Sequence, residues 1–146
     1  MLMLDRFFPN VNWEKTWEAT VQTLYMIGVS VLATFILGII LGVVLFLTAK
    51  GNLWENKFVY WVTAAFVNVF RSIPFIILIV LLIPFTRMLM GTIIGVKAAL
   101  PALIIGAAPF YARMVEIGLR EIDKGVIEAA KSMGAKTSTI IFKVLL

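Results

Sequence analysis

The chain has 146 residues, of which 62% are hydrophobic and only 14% are charged, and its formal net charge is +5. Soluble domains average about 45–50% apolar residues, and a core of this size could not bury such an excess, so the composition excludes an ordinary soluble protein. The sequence contains neither cysteine nor histidine. Their absence excludes disulfides and nearly all zinc or haem ligation, and it removes the commonest general base.

The first predicted element is a long uncharged stretch that follows a polar segment. Residues 1–18 carry charges of both signs and predict an external segment at the membrane surface, whereas residues 19–49 carry none. Because about 20 apolar residues span a bilayer, 19–49 predicts one long or tilted transmembrane helix. A signal peptide would have a basic start and a shorter apolar core, so we reject it. Gly38 and Gly42 form a small-xxx-small pair that is either a packing contact or a chance spacing.

A polar cytoplasmic loop, residues 50–57, leads to a second apolar stretch over residues 58–86. This stretch is longer than one crossing needs, and Arg71, Ser72 and Pro74 interrupt it. Since proline has no amide hydrogen and disfavours helix at the preceding residue, we expect an interfacial segment, a bend and then transmembrane helix 2. Two interpretations of this interruption stay open: Arg71 lines a substrate pathway, or it lies at the cytoplasmic interface among the headgroups.

The third predicted transmembrane helix covers residues 98–119, after an external loop over residues 87–97. Near its end, Arg113, Glu116 and Arg120 are spaced three and four residues apart on one helical face. That spacing predicts a charge-paired structural ladder where the helix leaves the bilayer.

The distribution of basic residues predicts the orientation of these helices. Lysine and arginine are most frequent after the third helix, and such residues favour the cytoplasmic side of a membrane. We therefore expect the amino terminus outside and residues 120–146 in the cytoplasm.

The cytoplasmic segment predicts a helix, a sharp turn and the start of a second helix. Asp123 can cap the first helix, and Gly134 can end it in a left-handed conformation. Thr137 or Ser138 can cap the helix that follows.

Apolar residues recur at helical spacing along the first of these helices and predict one apolar face: Ile122, Val126, Ala129, Ala130 and Met133. We expect Ala129 and Ala130 to lie on an exposed flank, where a partner can approach closely, and Glu128 to supply a charged contact. A second, water-soluble protein is the expected partner of this helix.

The cytoplasmic segment resembles the signature of importer permeases of the ATP-binding-cassette class, which reads Glu-Ala-Ala, three residues, Gly, nine residues and Ile-x-Leu-Pro. Residues 128–130 and Gly134 match it, Val144 and Leu146 stand in the Ile and Leu places, and the sequence ends before the Pro. Two segments, residues 70–77 and 106–116, further resemble the methionine-importer permeases.

This resemblance implies an all-α polytopic protein of the prokaryotic cytoplasmic, or inner, membrane, with three transmembrane helices here of an expected five, truncated at its carboxyl end. It implies a permease that imports an amino acid, within this subfamily methionine, together with a second permease copy, an ATPase subunit and an extracytoplasmic substrate-binding protein. The coupling helix of this class implies these ATPase-coupling residues: Glu128, Ala129, Ala130, Gly134 and Ala135.

The ATPase itself is expected on another chain, because the phosphate-binding pattern Gly-x4-Gly-Lys-Ser/Thr is absent from the sequence. We expect no catalytic residue, no cofactor, no metal and no nucleic acid. The alternative function is a small oligomeric pore or a membrane assembly factor that works without an ATPase.

Overall fold

The computed structural model of the protein describes residues 11–145, and the regular elements within that range are helical. The expected surface segment therefore lies largely outside the described residues, as does Leu146 of the signature. The helices, in chain order, are α1 (Trp13–Thr48), α2 (Lys57–Ser72), α3 (Phe75–Met90), α4 (Val96–Arg120), α5 (Lys124–Ser132) and α6 (Thr137–Ile140), the last continued by a π-helical turn over Ile141–Leu145.

Two helices, α1 with 36 residues and α4 with 25, are long and apolar enough to cross a membrane. The pair α2 and α3 forms a third crossing if it counts as one span, bent by 113°. The bend lies where the sequence predicts it, because Ile73 is extended and Pro74 directly precedes α3. An all-α membrane fold with up to three crossings is thereby confirmed.

Short connections join these helices. Asn56 caps α2, since its side-chain oxygen accepts the N–H groups of Phe58 and Val59 at 3.1 and 3.2 Å. Gly91 ends α3 with a φ of 72°, and only Gly91–Gly95 separate α3 from α4. The chain therefore returns through the membrane region almost at once.

The most extensive helix contact joins α1 to α4. A Cβ atom on Gly38 would lie 2.3 Å from Cδ1 of Tyr111, and one on Gly42 would lie 2.7 Å from the carbonyl oxygen of Ala112. Neither position has room for a side chain, so the glycine pair is a packing contact. Without these side chains the two helix backbones approach closely, as small residues allow in membrane helices.

The buried core lies at the carboxyl-terminal end of α1. There Phe46 and Leu47 pack against Leu119 of α4, Ala130 of α5 and Ile140 of α6. A second cluster joins α1, α2 and α4 through Leu45, Val67 and Ala112. The ends of α1 and α4 thus share one buried cluster with α5 and α6.

Gly42→Ala should lower the unfolding midpoint of the purified protein, because its methyl group meets backbone as well as side-chain atoms. Overpacking of this kind costs about 1–3 kcal/mol. Gly28 lies in the same helix, and a Cβ atom there would have nothing within 4 Å. Gly28→Ala is therefore the matched control, and its higher helix propensity should stabilise the protein by up to about 1 kcal/mol. Thermal unfolding in detergent checks both changes, and an equal or raised midpoint for Gly42→Ala would contradict the packing role.

Candidate functional site

The two residues that the sequence singles out, Asp123 and Gly134, flank α5. The Asp123 carboxylate accepts the N–H of Gly125 at 2.8 Å, which caps the amino-terminal end. At the other end Gly134 has a φ of 78°. Its N–H donates to the Lys131 carbonyl at 3.0 Å, and the N–H of Ala135 donates to the Ala130 carbonyl at 3.1 Å. This pair of bonds is a Schellman motif, so the predicted glycine stop is confirmed.

The start of α6 differs from the expectation. Lys136 occupies the N-cap position, and no side chain caps there. The prediction that Thr137 or Ser138 caps this helix is therefore wrong. The Schellman turn returns the backbone to helical angles at Thr137, so that residue already lies inside the helix.

The apolar face of α5 is divided between a covered and an exposed side. Ala130 is only 8% exposed and Ile127 packs beside it, both against the core at the end of α1. Val126, Ala129 and Met133 are exposed beside this covered side, with Val126 52% and Met133 82% exposed. The expectation that both alanines flank an exposed surface is thus wrong for Ala130, because a step of 100° per residue turns it towards α1.

The exposed side of α5 combines these apolar side chains with charged neighbours. Glu128, Lys124 and Lys131 are all exposed along the same helix. Large apolar side chains left uncovered beside charges are typical of a surface that a second protein covers. We call the exposed residues Val126, Glu128, Ala129 and Met133 the docking face; Glu128 is turned from the other three and also lines the cleft described next.

The turn between α1 and α2 is hydrogen-bonded to the carboxyl-terminal end of α1 and lies near α5. Asn52 donates from its side chain to the carbonyl of Phe46, and the N–H of Trp54 donates to the carbonyl of Leu47 at 3.0 Å. A cleft of about 170 Å³ separates this turn from α5, between Gly51 and Lys131. The contact of α5 with the end of α1 is made by Ile127 and Ala130, in the buried cluster.

The ladder at the end of α4 is confirmed as a set of ion pairs. Glu116 is 1% exposed, and its carboxylate binds Arg113 on one oxygen and Arg120 on the other, with Nη2 of Arg120 at 2.7 Å. Arg120 also donates to the hydroxyl of Tyr60 on α2 at 3.5 Å. Sequence spacing shows the ladder but not the tyrosine, because that contact joins residues sixty positions apart.

The interruption of the second apolar stretch lies at the bend. Ser72 is exposed and donates to the carbonyl of Asn68 at 2.8 Å, so its hydroxyl is satisfied within α2. The guanidinium carbon of Arg71 lies 5.8 Å from the centre of the Phe110 ring of α4. Arg71 and Pro74 thus lie together where α2 gives way to α3, well apart from the docking face in the chain.

Residues 34–146 match the family model described as binding-protein-dependent transport system inner membrane component. The methionine import system permease protein MetP of Bacillus subtilis is 67% identical over 144 residues, covering 99% of this chain and 65% of that protein. The D-methionine transport system permease protein MetI of Escherichia coli is 51% identical over 125 residues, covering 86% of this chain and 58% of that protein.

A solved structure, the MetNI methionine ABC transporter in inward-facing conformations, is similar with a TM-score of 0.87 and 47% identity. The match covers 93% of this chain and 64% of the matched one. The chain therefore spans less than two thirds of the length of these relatives.

Glu116→Gln should destabilise the protein, because it leaves two guanidinium groups beside a buried site without their counter-charge. The loss expected for such a change at partly exposed arginines is about 1–3 kcal/mol. Glu121→Gln is the matched control, since Glu121 is exposed and takes part in neither ion pair found among residues 11–145. Equal unfolding midpoints for the two variants would show that the ladder contributes nothing to stability.

Proposed function

We propose, from the fact that the chain belongs to the family of binding-protein-dependent transport system inner membrane components, that it forms part of the membrane-spanning permease of an ATP-binding-cassette importer. Its substrate is an amino acid, and methionine is favoured because the similar proteins are named as methionine permeases. The permease is a multi-pass protein of a prokaryotic cytoplasmic membrane. ATP is hydrolysed by a separate subunit.

The observation that carries this proposal is the docking face. It belongs to a helix whose two ends are fixed by a side-chain cap and a Schellman glycine, so the helix can transmit a push without unwinding. Another side of this helix, with Ile127 and Ala130, packs into the core at the end of α1. An ATPase bound on the docking face would thus hold a rigid handle on the membrane helices.

The coupling residues divide into two roles within this proposal. Glu128 and Ala129 face the ATPase, the first with a charge and the second with a surface that allows close approach. Ala130, Gly134 and Ala135 hold the helix in place, since Ala130 and Ala135 pack together in the core and Gly134 makes the turn between them. Movement of the ATPase would reach α1 through Ala130 and α4 through Leu119, which share one cluster.

A second permease copy and a substrate-binding protein complete the proposed assembly. The hydroxyls of Ser30 and Thr34 on α1 are buried and have no hydrogen-bond partner among residues 11–145. They line a groove of about 300 Å³ beside Tyr111. Since unsatisfied buried hydroxyls are costly, a polar group from a further helix of the assembly is their expected partner. We propose that the substrate-binding protein binds outside the cell, on the side of the membrane opposite α5.

The pore without an ATPase receives no support from the comparisons, whose similar proteins are named as import permeases. The ATPase proposal predicts co-elution of an ATP-binding-cassette subunit with the protein purified from its native membrane. Ion conductance in a bilayer without ATP would instead favour the pore.

The double variant Glu128→Arg with Gly134→Pro should uncouple ATP hydrolysis from methionine uptake in proteoliposomes that contain the whole transporter. The first change reverses the charge on the docking face, and the second is incompatible with a φ of 78° and breaks the Schellman turn. Uptake should fall about 5- to 150-fold, since a coupling free energy of about 1–3 kcal/mol is removed, while membrane insertion persists.

The matched control is Glu14→Arg with Gly91→Pro. It makes the same two chemical changes at the start of α1 and the end of α3, away from α5. Glu14 is exposed, and Gly91 has a φ of 72° in open space. This control should keep ATP hydrolysis linked to uptake. Full uptake by the first double variant would contradict the coupling role of α5.

A further inference from the structure

Arg71 is an exposed cation beside an apolar cleft, and its counter-charge is not supplied by the described part of the chain. Both ion pairs found within residues 11–145 use Glu116, and neither involves Arg71. Its guanidinium carbon lies 5.8 Å from the centre of the Phe110 ring, over the ring face. A ring face attracts a cation but leaves its N–H donors without acceptors, so Arg71 remains available to bind an anion.

A cleft of about 540 Å³ opens beside Arg71, between the bend and α4. Of the described residues that line it, Arg71 alone has a polar side chain, and the walls include Phe75, Leu78 and Leu103. A Cβ atom on Gly106 would lie 3.2 Å from the Phe75 ring. The glycine therefore keeps α3 and α4 close at one wall of the cleft. The site combines one cation at an edge with an apolar interior.

The helix α2 shows the depth at which this cleft lies. Steps of 100° per residue place Phe58, Val62, Phe66 and Val69 on one side, where all four are exposed and Phe58 is 77% so. Lys57 and Asn68 fall on a different side, beside Trp61, which is 75% exposed. A helix with one apolar side and another that mixes polar residues with tryptophan, and that meets α3 at 113°, is typical of one lying in the membrane interface. Arg71, in its last turn, is then at the level of the lipid headgroups.

We infer that this cleft binds an anionic phospholipid. The phosphate pairs with the Arg71 guanidinium, whose planar donors suit phosphate oxygens. An acyl chain occupies the apolar interior between Phe75, Leu78 and Leu103. This inference needs α2 to lie at the interface, but it does not depend on which substrate is imported.

An amino acid fits the same cleft less well, although its carboxylate could pair with Arg71. Its ammonium group would find no carboxylate, hydroxyl or amide side chain among the described lining residues. An ammonium group buried without such partners is strongly unfavourable. A phospholipid with a single negative charge, such as phosphatidylglycerol, presents no ammonium group. The chemistry of the walls therefore favours the lipid over the transported substrate.

The test measures how much phosphatidylglycerol and phosphatidylcholine, with matched acyl chains, remain bound to the purified full chain in native mass spectrometry. Wild type should retain phosphatidylglycerol in preference, and Arg71→Gln should lower that preference about fivefold, the effect of one basic side chain at an anionic membrane surface. Arg87→Gln is the matched control, since Arg87 is exposed near the other end of α3 and does not line the cleft. Its preference should equal that of wild type.

Two competitors separate the lipid from other anions. Millimolar inorganic phosphate or L-methionine should leave the bound phosphatidylglycerol in place, because neither fills the apolar interior. Displacement by phosphate would reveal a free-phosphate site, and displacement by methionine would reveal a substrate site, and each would overturn the inference. Equal lipid retention by Arg71→Gln and Arg87→Gln would overturn it as well.

Two further measurements keep the inference testable if Arg71→Gln does not fold. Arg71→Lys keeps the charge and should retain most of the preference for phosphatidylglycerol. Wild type alone must also discriminate between the two lipids, so a retention ratio near one would overturn the inference without any variant. Full uptake by the coupling variant with the lipid preference intact would contradict the proposed function and leave this inference standing, whereas loss of uptake in that variant with a lipid ratio near one would do the reverse.

Discussion

The close approach of α1 and α4 is the constraint on which the rest of this structure depends. Gly38 and Gly42 leave no space for a side chain against Tyr111 and Ala112, so the two longest helices are locked in register. Because the hydrophobic effect does little between helices in lipid, packing of this kind supplies much of their association. The same two helices also position α5 and α6, since residues of both short helices pack in one cluster with the carboxyl-terminal ends of α1 and α4.

Packing against the end of α1 explains why a helix of nine residues, α5, can have a fixed orientation. Helices this short are marginal on their own in water, yet α5 has a cap, a Schellman stop and one side packed against the core. Each of these removes freedom from the helix without covering its docking face. The proposed ATPase would therefore meet a surface that is already ordered, which lowers the entropy lost on binding.

Sequence reasoning succeeds here where the cause is local and fails where it is distant. The bend at Pro74, the Asp123 cap, the Gly134 stop and the Glu116 ladder each depend on residues within a few positions of one another, and all are present. Which side of α5 is covered depends instead on the end of α1, about eighty residues earlier. Helical spacing therefore groups Ala130 with Ala129 although only one of them is buried. The contact from Arg120 to Tyr60 is unseen for the same reason.

Arg113 and Arg120 on one hand, and Arg71 on the other, illustrate opposite ways of keeping charge near a membrane. Glu116 is buried between Arg113 and Arg120, so the cost of removing a carboxylate from water is offset within the chain, and the ladder needs nothing from outside. Arg71 has only an aromatic ring beside it among the described residues. On the inference that α2 lies in the interface, Arg71 would meet anionic lipids at the depth of the headgroups. An internal partner for Arg71 would then not be needed, and the bend at Pro74, which ends α2 beside Arg71, would be what keeps it at that depth.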